Sequence, residues 1–136
     1  LTCTPVDPPP GVAHCILLDT GPEVVTGSTR MKAGTATKLA LNTISTTLMI
    51  RSGRVHENLM VDLRATNDKL RDRAARIIST LTGLPRDEAF PLLDRAGGVV
   101  KTAIIMHRGT LSRDDAERRL ADAAGRLDRA LKDLDP

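Results

Sequence analysis

Chemistry is densest between Gly21 and Lys38, which reads GPEVVTGSTRMKAGTATK. The stretch holds one acid (Glu23), three cations (Arg30, Lys32, Lys38), three glycines, and hydroxyl residues that include Thr26, Ser28, Thr29 and Thr35. An apolar helical pattern follows directly. A Gly-Ser-Thr turn that opens a helix leaves backbone N–H groups without intrahelical partners, and the helix dipole adds partial positive charge there. Such an end suits an anion, most often a phosphate. Ser28 or Thr29 is placed to cap the helix or to donate a hydroxyl to that phosphate. Arg30 and Lys32 fall in the first turn, where a cation opposes the dipole unless an anion lies nearby. Glu23 is the one carboxylate in the stretch, and its plainer role is a partner for Arg30 or Lys32. The plain alternative for the whole stretch is a capped helix start with surface cations. Neither a Walker A loop nor a GxGxxG fingerprint is present.

The elements that must position these residues follow from pattern. Pro5, Pro8, Pro9 and Pro10 enforce extended or turn backbone after a short apolar start. Val12 to Leu18 (VAHCILL) is a continuous apolar run of strand length, which predicts a strand buried on both faces of a parallel sheet. His14 within it has no second ligand beside it and reads as packed or rim-exposed. Asp19 to Glu23 is then the loop at the C-terminal end of that strand, where open α/β sheets bind ligands. Thr29 to Arg51 is predicted as one long helix. Apolar and small residues lie nearly all round it, which implies burial. Its hydroxyls can bond back to helix carbonyls, and a buried Asn42 would need partners. Gly53 ends it.

Beyond Gly53, His56, Glu57 and Asn58 form a polar loop before a short strand, Leu59 to Leu63. Asp62, flanked by apolar residues, needs a partner, and a helix-borne cation is the natural one. From Thr66 the composition turns to Arg- and Asp-rich helices. Thr66 or Asn67 caps a helix running through Ser79, with Leu70, Ala74, Ile77 and Ile78 inward, and Gly83 stops it. Pro85 opens Arg86 to Ala96, with Ala89, Leu92 and Leu93 inward. Val99 to His107 forms the next, ended by Gly109. Ser112 caps a last helix whose Ala116, Leu120, Ala123, Leu127, Leu131 and Leu134 predict one continuous stripe. This is a small helical bundle, its stripe serving core or subunit packing. A helix-turn-helix reading, with Val99 to His107 in the groove, is the minor alternative.

Composition narrows the function classes. The 136 residues suit one domain or two small units. Phe90 is the only aromatic, so the core must be aliphatic. Residues 1–65 hold 6 cations and 5 acids, and residues 66–136 hold 14 and 12. Neither half is a basic arm, and nucleic acid is not an expected partner. Cys3 and Cys15 have neither metal-ligand spacing nor the density of a disulfide scaffold, and read as reduced apolar residues. No metal or cofactor, no membrane span and no leader are expected.

The stretch GPEVVTGSTRMKAGTATK resembles the signature of the N-acetylmuramic acid 6-phosphate etherases, shared with the glucokinase regulatory proteins. Leu41 to Ile78 and Gly97 to Leu131 are similar to etherase segments at the same positions, so the likeness covers nearly the whole chain. It implies an α/β fold: the C-terminal half of a sugar isomerase (SIS) parallel-sheet sandwich over residues 1–65, followed by a small helical bundle over residues 66–136. The implied reaction is cleavage of the lactyl ether of N-acetylmuramic acid 6-phosphate, giving N-acetylglucosamine 6-phosphate and D-lactate in cell-wall sugar recycling. The implied substrate contacts are Glu23, Thr26, Ser28, Thr29, Arg30 and Lys32. The catalytic base is unknown, because the family's main phosphate loop and its acid/base glutamates fall upstream of Leu1. The expectation is therefore a fragment of a longer protein or a truncated relative, inactive alone. The expected setting is a bacterial cytoplasm, with a sugar phosphate as ligand and a homodimer as assembly. The other readings are a non-catalytic SIS regulator that binds a sugar phosphate, and a dimerising structural module.

Overall fold

The structure is a computed structural model, and it describes residues 1–134. Its helices are α1 (Lys32–Arg51), α2 (Asp68–Thr82), α3 (Arg86–Arg95), α4 (Val100–Gly109), α5 (Arg113–Asp122) and α6 (Leu127–Ala130). Two short strands, β1 (Val55–His56) and β2 (Leu59–Met60), pair antiparallel across the Glu57-Asn58 turn. The described chain is thus mostly helical with one two-stranded sheet. It divides into two compact units, Leu1–Leu48 and a second beginning at Met49, and α1 runs from the first into the second.

In the second unit, local chemistry sets the helix ends. The Asn67 side chain accepts a hydrogen bond from the Leu70 N–H at 2.9 Å and opens α2. Gly83, at φ 75°, closes α2 with its N–H on the Ser79 carbonyl. Ser112 caps α5 by accepting from the Asp115 N–H at 3.2 Å. Gly53 ends α1 in the left-handed region at φ 71°, where a Cβ would meet Arg126 Cγ at 2.8 Å.

The core is aliphatic. Val61, Ala74, Ala75, Ile78, Ala89, Leu93, Val100, Ala103, Ile104, Ile105 and Ala116 are fully enclosed, joined by Ile77, Leu92, Leu127 and Ala130. The axis is α4, whose residues Val100 to Ile105 are all buried. That burial speaks against the helix-turn-helix reading, since the N-terminal part of α4, which would enter a groove, is enclosed in the core. Phe90 packs at the margin with the Arg71 and Arg86 guanidinium groups 5.6 and 5.4 Å from its ring centre. Residues 61–65 are pinned to the turn before α4: the Ala65 N–H donates to the Gly98 carbonyl and the Val100 N–H to the Leu63 carbonyl.

Several boundaries differ from the sequence expectation: the strand expected over Leu59 to Leu63 ends at Met60, and α2 runs on past Ser79 to Thr82. Gly109 lies inside α4, and Thr110 takes the left-handed position (φ 49°) that ends it. The last helix is not continuous. Ala124 and Gly125, at φ 54° and 72°, break it between α5 and α6. A period of apolar residues does not register two successive left-handed residues. The stripe survives as packing, with Ala116, Leu127 and Leu131 buried, but on two separate helices.

The first unit differs more. Val12 to Leu18 is not a buried strand. It is largely exposed, and it meets Thr2 in a single parallel bridge, with Thr2 N–H to Ile16 O at 3.0 Å and Leu18 N–H to Thr2 O at 2.8 Å. One bridge satisfies a few backbone groups, whereas a strand buried on both faces needs a ladder on each side. α1 begins at Lys32 rather than Thr29, and none of its residues is buried. Leu39, Leu41, Ile44, Leu48, Met49 and Ile50 are exposed, and so is Asn42. Its hydroxyls do bond back: Thr43 Oγ1 donates to the Leu39 carbonyl at 2.9 Å.

Candidate functional site

The Gly21–Lys38 stretch folds as a loop leading into α1. Asp19 Oδ1 accepts from the Gly21 N–H at 3.4 Å, and Gly21 takes φ 62°. This turns the chain so that Pro22 and Glu23 face the start of α1. The Glu23 carboxylate then accepts two backbone N–H groups of the first helical turn, Lys32 N–H on Oε2 at 2.9 Å and Ala33 N–H on Oε1 at 3.0 Å. In the opposite direction, Lys32 Nζ donates to the Pro22 carbonyl at 2.9 Å. The two N–H bonds, with the Lys32 charge nearby, hold the Glu23 carboxyl below its ordinary value.

Between the two ends of this arrangement the loop makes a tight turn. The Ser28 N–H donates to the Val25 carbonyl at 3.0 Å, with Gly27 at φ 80° in the third position. Thr26, Thr29 and Arg30 are exposed and Ser28 is half-buried. The Gly34 N–H donates to the Thr29 carbonyl at 2.8 Å, and a Cβ on Gly34 would lie 3.3 Å from that oxygen. Glycine lets the loop sit that close to the helix.

All six candidate residues, Glu23, Thr26, Ser28, Thr29, Arg30 and Lys32, therefore lie on one loop and the first helical residue. The cap of α1 is a different residue from the one expected. Neither Ser28 nor Thr29 caps the helix; Glu23, nine residues before Lys32, does so. Capping rules read adjacent residues, and a carboxylate brought back by a loop escapes them.

The second unit contains an ionic cluster that the sequence marked only through Asp62. Lys101, with its side chain 7% exposed, donates from Nζ to Asp62 Oδ1 at 3.0 Å and to the Gly125 carbonyl at 2.8 Å. Arg54 Nε lies 3.6 Å from the other Asp62 oxygen. The helix-borne cation expected for Asp62 is thus Lys101, a single lysine in the apolar run VVKTAIIM. A cavity of about 300 Å³, lined in part by Asp62, Arg64, Lys101 and Leu120, adjoins the pair. Among the described residues, no group of three or more His, Cys, Asp or Glu is arranged to hold a metal ion.

No protein-family model matches the chain. Comparison with curated proteins finds relatives about half identical to the chain. Over 116 residues the chain is 52% identical to the N-acetylmuramic acid 6-phosphate etherase of Deinococcus radiodurans, covering 85% of this chain and 38% of that protein. Over 135 residues it is 47% identical to the etherase of Trichodesmium erythraeum, covering 98% of this chain and 44% of that one. The chain's relatives are N-acetylmuramic acid 6-phosphate etherases. Etherase 1 of Bacillus licheniformis is 50% identical over 118 residues, 87% of this chain and 39% of its own length. The resemblance read from the signature is borne out over most of the chain. In each case the chain spans less than half the length of the etherase it matches. Among the described residues, no helix is long and apolar enough to cross a membrane.

Proposed function

We propose that this chain carries part of the sugar-phosphate site of an N-acetylmuramic acid 6-phosphate etherase. The protein would be a carbon–oxygen lyase that releases D-lactate and N-acetylglucosamine 6-phosphate. The observation that carries this reading is the Gly21–Lys32 loop, which gathers Thr26, Ser28, Thr29 and Arg30 in a chain about half identical to such etherases. Exposed hydroxyls and a guanidinium suit the phosphate and hydroxyl groups of the ligand. Residues 1–65 would belong to a SIS-type parallel-sheet sandwich, and the parallel Thr2–Leu17 bridge supports that placement. Residues 66–136 would form the accompanying bundle, whose last two positions lie outside the described residues. A homodimer in a bacterial cytoplasm is the proposed setting, and the apolar surface of α1 supports a covering partner.

The reaction needs a base to remove an acidic proton beside the open-chain aldehyde, and an acid for the departing lactate. Glu23 is poorly suited to be that base. Its carboxylate is spent on two backbone N–H groups, and its basicity is lowered by them. That observation favours, as a second reading, a sugar-phosphate binder without chemistry of its own. Lactate release by a longer protein that contains this chain separates the two, and ligand binding by the chain alone tests what they share. The etherase reading expects the chain alone to bind N-acetylglucosamine 6-phosphate in calorimetry and to release no lactate. Absence of binding removes both readings.

A further inference from the structure

We infer that Glu23 and Lys32 are positioning residues, forming a two-way clamp that holds the Val24–Met31 loop in shape, and are not themselves contacts to the ligand. This rests on the sugar-phosphate reading of the loop and assigns two of its residues to a different task.

A carboxylate has limited acceptor capacity in any one direction, and both Glu23 oxygens face the start of α1. The N–H groups of Lys32 and Ala33 are the donors that an anion at this helix end would seek. They already have one, supplied by the chain itself. A phosphate placed on the same two donors would meet the Glu23 charge. Lys32 is committed as well, since its Nζ reaches back to the Pro22 carbonyl. The two residues thus bond each other's neighbourhoods in opposite senses, side chain to backbone each time. Chain ends that are nine residues apart in sequence become neighbours, and the segment between them is closed into a ring.

Everything inside the ring is then constrained. Gly27 turns within it in the left-handed region, while Gly21 and Gly34, just outside, make the entry turn and admit the Thr29 carbonyl at close range. What the ring offers outward is Thr26, Ser28, Thr29 and Arg30. These four remain the contacts for a sugar phosphate, and their spacing depends on the clamp. Fixing a loop in its bound shape before the ligand arrives raises affinity by removing the ordering cost.

The test uses the full chain with N-acetylglucosamine 6-phosphate as probe, in the wild type and in E23A, E23Q, K32M and E23A/K32M. Amide hydrogen exchange at Lys32, Ala33 and the loop is read without ligand, and affinity by calorimetry. The clamp predicts that E23A loses roughly tenfold in protection at Lys32 and Ala33, the size of a lost helix cap, with E23Q between it and wild type. It predicts that affinity falls in parallel with protection. It predicts also that E23A/K32M binds no more weakly than the worse single variant, because the two residues act as one unit. Unchanged protection in E23A overturns the clamp. So does a loss of affinity without loss of protection, which would make Glu23 a direct contact. Additive losses in the double variant would overturn the joint action. If the wild type does not bind the probe while E23A loses protection, the clamp stands and the sugar-phosphate reading falls.

Discussion

Replacing either partner of the Asp62–Lys101 pair tests how the bundle handles a buried charge. The two substitutions are not equivalent. Asp62→Ala leaves an ammonium group whose side chain is 7% exposed, with the Gly125 carbonyl as its remaining partner. Lys101→Met leaves a carboxylate that is 42% exposed and still 3.6 Å from Arg54 Nε. Stranding one member of a buried pair costs about 3–5 kcal/mol when the survivor cannot reach water. Here the adjoining cavity gives water a route to Lys101, so we expect roughly 2 kcal/mol for Asp62→Ala. Methionine matches the length of the lysine stem and suits the surrounding apolar residues. Its cost is the lost charged hydrogen bond to Gly125, partly offset by the removed desolvation, which leaves about 1 kcal/mol or less. At roughly 4–8 °C per kcal/mol for a unit of this size, Asp62→Ala lowers Tm by about 8–16 °C and Lys101→Met by a few degrees. Urea unfolding of both variants at neutral pH gives the ranking directly. A Lys101→Met variant as unstable as Asp62→Ala, or more so, would refute the asymmetry and show that the attraction outweighs the cost of burial.

Other expectations follow from single contacts. Ile104→Ala removes a fully enclosed side chain from the axis of the bundle and should cost about 2–5 kcal/mol in chemical denaturation. Gly53→Ala should destabilise by about 1–3 kcal/mol, because φ is 71° and the new Cβ would press on Arg126; an unchanged midpoint would refute both the left-handed backbone and the close approach. Ser112→Ala should cost about 1 kcal/mol through the lost cap on Asp115, visible in the same assay. Acid should undo the Glu23 cap in a defined window. Its carboxyl is lowered in the folded state, so the contribution is complete above the ordinary carboxylate value and is lost as pH falls through the lowered one. The amide shifts of Lys32 and Ala33 should titrate together below that ordinary value. A midpoint at or above it would contradict the double hydrogen bond.

Local chemistry was legible in the sequence and distant chemistry was not. Asn67, Gly83 and Ser112 act on groups within a few residues, and each ends or starts its helix as its side chain and backbone dictate. Ala74, Ile77, Ile78, Ala89, Leu92 and Leu93 face inward as their period implies. The candidate loop was visible from composition, yet its internal wiring was not, because Glu23 reaches Lys32 across a turn. Val12–Leu18 and α1 failed for a related reason. An apolar run states what a segment needs, burial, and says nothing about whether a neighbour supplies it. Ala124 carries no sequence signal for its turn, because alanine seldom takes the positive φ found there.

The absence of any buried side chain in α1 divides the molecule by the kind of stress that will expose a defect. Substitutions among the enclosed residues of α2 to α6 will be read by heat and denaturant, since those residues account for the cooperative melting of the bundle. Substitutions at Leu39, Leu41, Ile44 or Leu48 touch no enclosed surface and should leave that melting unmoved. Their effect will appear when protein concentration is raised, as a change in scattering or sedimentation, because exposed apolar area gains free energy only by finding another surface. One stretch of this chain answers to temperature, the other to crowding by whatever apolar surface is near.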